Sequence, residues 1–347
     1  MGRKRYFTRL GVALLLLPFA TAIISILSTI LSYLVIVIGA FATGNAYGDP
    51  MQDPTSIVLS TFIITLTNYG VMALVLWLGV NQMPEEPMDT EDISWGGFAQ
   101  VAIFTYTVMI VTALVPVFIE SYISDVLDIQ YQGALSGMLS MPLWGQILFS
   151  GIMAPVFEEL IFRKMLVRHL RWAGDSFAIF SSAAAFAFVH GNLEQCFYAF
   201  FVGVIFATVY IYTGNIGVTI GLHAVVNTAS TLISNIPGEQ GVVLGNAIQV
   251  AIMAAGIIIV AANKANASSV VQFLTTPNSE SRDPSCDYYQ QFDKDGLPLK
   301  IRPKDQTIFW YQSGVLIAAF VINALFCGAG TFLMFLAAKV SASGILL

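Results

Sequence analysis

The chain has 347 residues, 56% of them hydrophobic and only 10% charged, with a mean hydropathy of +0.76. Soluble domains carry about 25% charged residues, so a water-soluble globular core is excluded and an all-α, polytopic transmembrane helical bundle is expected. The formal net charge of −6 comes without a basic patch interleaved with aromatics, which argues against nucleic acid as a partner. Cys196, Cys286 and Cys327 are scattered, odd in number and form no Cys-x-x-Cys pair, so neither a disulfide framework nor a cysteine metal centre is supported.

Arg3, Lys4, Arg5 and Arg9 precede an apolar run over 11–42. That run exceeds the roughly 7–15 apolar residues of a cleavable signal peptide and reads as an uncleaved anchor. Further apolar runs follow over 56–80, 98–119 and 143–166, with a mixed stretch at 120–142. The remaining spans are expected at 177–190, 195–212, 216–236, 241–262 and 307–338, and a long polar segment separates the last two. Nine spans with a cytoplasmic N-terminus put the clusters at 3–9, 164–171 and 264–304 on the cytoplasmic side and leave only Lys339 outside, as the positive-inside rule requires. The organisation expected is N-terminal helices and loops at 1–139, a core at 140–240, a helix at 241–262, a cytoplasmic polar insert at 263–306 and a C-terminal helix at 307–347.

The fourth run contains Glu158, Glu159 and Arg163. A charge at the centre of a membrane helix costs roughly 2.5–3.5 kcal/mol on insertion scales, so an intramembrane ionisable group marks a functional site by default. Glu159 and Arg163 are four apart with the acid first, the favourable order for an ion pair on one helix face. Glu158 falls off that face and has no local partner, which makes it the candidate reactive acid. Later spans add His190 at the end of one run, then His223 and Asn227, four apart and so on one face of another. A carboxylate, two imidazoles and a carboxamide can activate water and hold a developing oxyanion. His169 sits in the basic flank and reads as solvated. At 1.5 Å per residue His190 lies about 20 Å along its span, deeper than Glu158 unless tilt, a span that begins earlier near Trp172, or an interfacial stretch at 165–175 reconciles the two.

Glu-Glu-x-x-x-Arg at 158–163, Phe-x-x-x-His at 186–190 and His-x-x-x-Asn at 223–227, in that order on successive apolar helices, resemble the three motifs of one family. It is the CAAX-protease and bacteriocin-processing (CPBP/Abi) family of intramembrane glutamate endopeptidases, related to the type II CAAX prenyl endopeptidase. The resemblance covers about residues 140–240. It implies a membrane-embedded endopeptidase in which Glu158 and His190 activate water, His223 and Asn227 stabilise the oxyanion, and Glu159 and Arg163 support the site. No cofactor or metal is implied, and the partners implied are a peptide or membrane-associated protein substrate and the lipid bilayer. Without a targeting motif, a bacterial plasma membrane is the expected location.

Two other classes of reading stay open. Glu158, His190 and His223 could be three zinc ligands with a vacant fourth position, although the chain has no His-Glu-x-x-His helix. A non-catalytic scaffold or immunity protein, or a proton-coupled transporter using intramembrane Glu and His, is the other alternative.

Overall fold

The computed structural model describes residues 3–42, 54–85, 88, 90–128, 136–139, 141–263 and 313–342. The polar segment from 264 onward, with Cys286, lies outside them. Among the described residues every regular element is helical. Eight helices are long and apolar enough to cross a membrane: α1 (Arg3–Ala42), α2 (Pro54–Val80), α3 (Trp95–Leu127), α4 (Leu143–Ala173), α6 (Leu193–Thr213), α7 (Ile216–Ser234), α8 (Gly238–Ala262) and α9 (Gly314–Ala342). The protein is an integral membrane protein. Helix α3 extends to Leu127, well into the stretch that reads as mixed in sequence.

The ninth apolar helix, α5 (Asp175–Phe188), has 14 residues. At 1.5 Å per residue it is about 21 Å long, short of the roughly 30 Å hydrocarbon layer. It starts after Gly174, whose φ of 113° is unfavourable for any residue with a Cβ, and stops at a turn carrying His190. The chain then re-enters α6 at Asn192, whose side chain caps the helix by accepting from the Gln195 amide at 2.8 Å. Asn215 caps α7 in the same way, accepting from Gly217 at 2.9 Å.

One end of the bundle gathers the basic residues. Arg9 donates to the Leu78 carbonyl at 2.6 Å and to Asn81 Oδ1 at 2.8 Å. Arg168 pairs with Glu85 at 3.0 Å, and the Tyr6 and Phe7 rings pack on Trp172. The start of α1, the end of α2 and the end of α4 therefore share a face.

Where prolines interrupt membrane helices, the freed carbonyls need other donors, because lipid supplies none. Pro18 in α1 has no N–H to give to Leu14. The Leu14 carbonyl instead accepts from Asn323 Nδ2 of α9 at 3.0 Å, which ties the last helix to the first.

Helices α5 and α6 form a close antiparallel pair because Gly203 faces Ala183. A Cβ built at Gly203 would lie 3.0 Å from the Ala183 Cα and 3.2 Å from the Phe186 ring. A Gly203→Val substitution should therefore push α6 off α5 and destabilise the protein by about 1–3 kcal/mol, the usual cost of overpacking. Thermal unfolding of the detergent-solubilised protein measures it, and unchanged stability would contradict the packing described.

Candidate active site

Helix α4 is not a uniform α-helix. Its backbone widens into π-helical turns over Ile147–Met153 and again over Glu159–Val167, with an α-helical turn at Ala154–Glu158 between them. In the π register each N–H reaches the carbonyl five residues back, as Ala154 does to Phe149. Pro155 would donate to Ser150 in that register, and it has no N–H. The Ser150 carbonyl accepts instead from Asn227 Nδ2 of α7 at 3.0 Å. One carboxamide N–H of Asn227 is thus committed to the backbone, and the second remains to face the cavity.

The two adjacent glutamates enter different surroundings. Glu159 and Arg163 are both fully buried and 3.0 Å apart. Arg163 also donates to the Gly203 carbonyl at 3.3 Å, and its guanidinium lies 4.5 Å from the Phe186 ring centre and 5.4 Å from that of Phe206. Glu159 Oε1 has a second partner that helix spacing alone does not reveal, His223 Nδ1 at 2.9 Å. A carboxylate only accepts, so Nδ1 carries the proton, and this bond turns His223 Nε2 toward Glu158 Oε2, 3.6 Å away.

Glu158 finds its partner on α2. The Tyr69 hydroxyl donates to Glu158 Oε1 at 2.8 Å, and the Tyr69 ring stacks on Phe157 with centroids 5.1 Å apart. Sequence reasoning missed this residue. The available signal was the adjacent pair Asn68-Tyr69, a polar interruption in the middle of an apolar run. His190 donates from Nδ1 to the Phe186 carbonyl at 2.9 Å. A carbonyl also only accepts, so in the neutral ring Nε2 is the nitrogen with a free lone pair. Phe186 thereby supplies both the ring under Arg163 and the carbonyl that orients His190.

Glu158, His190, His223 and Asn227 all line one cavity of about 550 Å³, which also exposes Tyr106, Gln146 and Tyr198. Glu159 and Arg163 lie behind that wall. Among the described residues no three His, Cys, Asp or Glu side chains group as a metal-binding set. The arrangement offers a carboxylate steadied by a phenol, an imidazole with an open nitrogen, and a carboxamide with an open N–H, all on one cavity inside the bundle.

Residues 140–229 match the model of the family described as type II CAAX prenyl endopeptidase Rce1-like. The chain carries an Rce1-like domain. The match covers 90 of the 347 residues and takes in α4, α5, α6 and most of α7. It supports a membrane protease at family level. No curated protein and no solved structure matches the chain. Tyr69 lies outside the Rce1-like domain, so a helix that the family model does not cover contributes a hydrogen bond to Glu158.

The buried pair behind the wall gives a direct test. Glu159→Gln leaves Arg163 charged, buried and without its carboxylate, and should destabilise the protein by about 3–5 kcal/mol. The double variant Glu159→Gln with Arg163→Met should recover part of that loss. Thermal unfolding of the two variants beside the unaltered protein checks it, and a double variant no more stable than Glu159→Gln alone would refute the pairing.

Proposed function

We propose that the protein is an intramembrane endopeptidase that hydrolyses a peptide or membrane-associated protein by water activated at Glu158, with residues 140–240 as its core. The observation that carries this reading is the convergence of Glu158, His190, His223 and Asn227 on one cavity, each side chain held by a hydrogen bond within the protein. In the reaction a water molecule between Glu158 and His190 Nε2 loses a proton to the carboxylate as its oxygen bonds to the scissile carbonyl carbon. The carbonyl oxygen gains the negative charge and accepts from the second N–H of Asn227 and, when that ring is doubly protonated, from His223 Nε2. Collapse of the tetrahedral intermediate breaks the C–N bond, and the proton on Glu158 passes to the departing amine nitrogen. Tyr69 and Glu159 hold Glu158 and His223 in place and touch no reacting atom.

The basic end of the bundle supports a cytoplasmic N-terminus, and with α5 and α6 as an antiparallel hairpin that returns to the face it entered from, the basic residues of the 263–306 insert fall on that side as well. A bacterial plasma membrane remains part of the proposal.

The test uses purified full-length protein and a panel of internally quenched peptides, with and without a prenylated C-terminal cysteine. Glu158→Gln and His190→Ala should each lower turnover by several orders of magnitude while the protein still accumulates in the membrane. Asn227→Ala should cost on the order of 10²–10³-fold, the usual loss for one oxyanion donor. Exhaustive chelation should leave turnover unchanged. Activity lost on chelation and restored by stoichiometric zinc would make His190 and His223 ligands, and full activity in Glu158→Gln would remove the assignment altogether.

A further inference from the structure

Glu158 and His190 are reached from two sides, and only one side has room for a peptide. The main cavity, about 550 Å³, lies between α2 and the helices α3, α6 and α7. Toward α1, the same two residues wall a second cavity of about 270 Å³, together with Thr21, Asn68, Tyr69 and Met72. Through Thr21, Asn68 and Val189 it adjoins a third cavity of about 240 Å³, bounded by Ser25 of α1 and Asn323 of α9. Ordinary ligand pockets occupy about 300–1,000 Å³, so the main cavity falls within that range and each smaller one below it.

We infer that the cleft between α1, α2 and α9 is a water-binding inlet that feeds Glu158 while the main cavity is occupied by peptide. The inference rests on the reading of Glu158 as the base that activates water. A hydrolase inside a membrane must bring water to a carboxylate that its substrate covers, and a second approach meets that need. The cleft has the required chemistry. Thr21 and Ser25 are four apart on one face of α1. Ser25 donates to Asn68 Oδ1 at 2.9 Å, and Asn68 to the Ile64 carbonyl at 2.8 Å. Hydroxyl and amide oxygens each accept twice, so these groups keep capacity for further bonds after their contacts within the protein. A buried water needs two to four such partners and takes about 30 Å³ of liquid volume, which leaves room for several in each cavity. The rest of the lining is mostly apolar, with Ile64, Met72 and Val189 in the inner cavity and Leu17, Phe188 and Phe326 in the outer one, so an acyl chain is the competing occupant that the experiment must distinguish. Helices α1, α2 and α9 all lie outside the residues matched by the family model, so this route is a feature of the rest of the chain.

Radiolytic hydroxyl-radical footprinting tests the inlet without a substrate, because the radicals form from the water itself. Met72 is only 4% exposed and walls the inner cavity. It should be oxidised to the sulfoxide despite its burial, whereas Met153, in a separate core cluster, should not. Thr21→Leu fills the junction of the two small cavities and breaks only bonds to carbonyls of its own helix. It should suppress oxidation of Met72 several-fold while leaving Tyr106 of the main cavity as reactive as before. On any peptide that the unaltered protein cleaves, Thr21→Leu should lower kcat and leave KM unchanged. Ser25→Val serves as the second plugging variant if Thr21→Leu elutes as aggregate. Met72 protected in the unaltered protein would mean a dry or lipid-filled cleft and would overturn the proposal. So would kcat unaffected by a variant that does suppress Met72 oxidation. A hydrated cleft in a protein that cleaves no peptide would remove the catalytic reading and the inlet role with it, and leave a water site only.

Discussion

The interaction on which the rest of the site depends is the buried pair of Glu159 and Arg163. Two opposite charges, both fully withdrawn from solvent, are expensive to bury and survive only when their remaining capacity is met by good geometry. Here three other helices meet part of that capacity, while Glu159 Oε2 and Arg163 Nε stay buried without a hydrogen-bond partner among the described residues. The Gly203 carbonyl and the Phe206 ring come from α6, the Phe186 ring from α5, and the His223 imidazole from α7. Surrounding one ion pair thus ties four helices to one another, directly behind the wall that carries Glu158. The adjacency of the two glutamates has a physical sense in this light. Consecutive helical positions point in different directions, so one residue of the pair anchors the bundle while the next enters the cavity.

Backbone bookkeeping explains the asparagines. In hydrocarbon every carbonyl must find a donor, and proline removes one from its own helix. Pro18 leaves Leu14 to be met by Asn323, and Pro155 leaves Ser150 to be met by Asn227. The same device serves two ends. At Asn323 it docks the last helix of the chain onto the first. At Asn227 it fixes a carboxamide that lines the cavity, so a helix irregularity and a catalytic candidate share one cause. A longer turn in α4 is part of this arrangement, because only in the five-residue register does Pro155 fail Ser150.

Much of this was legible in the chain. The helical bundle followed from composition, eight of the nine expected spans, as helices long enough to cross, from apolar runs, and the approach of Glu159 to Arg163 from a spacing of four. That spacing predicts proximity in both α and π turns, so the widening of α4 did no harm to it. The partner of Glu158 was not legible, since Tyr69 lies 89 residues away and no local periodicity links distant helices. The second bond of Glu159 was hidden for the same reason. Sequence spacing also could not show that α4 leaves the α-helical register, which depends on side chains of α7 meeting the freed carbonyl.

The depth of His190 turns on the length of α5. Counted from the start of its span, His190 would pass beyond Glu158, yet both wall the same cavities. A helix of 14 residues that is not required to cross the bilayer can end where the site needs a side chain. Ending it there exposes non-helical backbone at membrane depth, which is tolerated only when protein covers it or a polar cavity adjoins it. Both conditions are met at the turn after α5. Asn192 Nδ2 donates to the His190 carbonyl at 2.8 Å, and the Leu193 amide donates to Thr331 Oγ1 of α9 at 2.7 Å. Gly191 takes a left-handed φ of 65°, and its carbonyl meets α9 at Gly330, where a Cβ would collide with it. The last helix, far from the matched domain in sequence, therefore seals the turn that holds His190, and α9 covers backbone that a short α5 leaves between its end and α6.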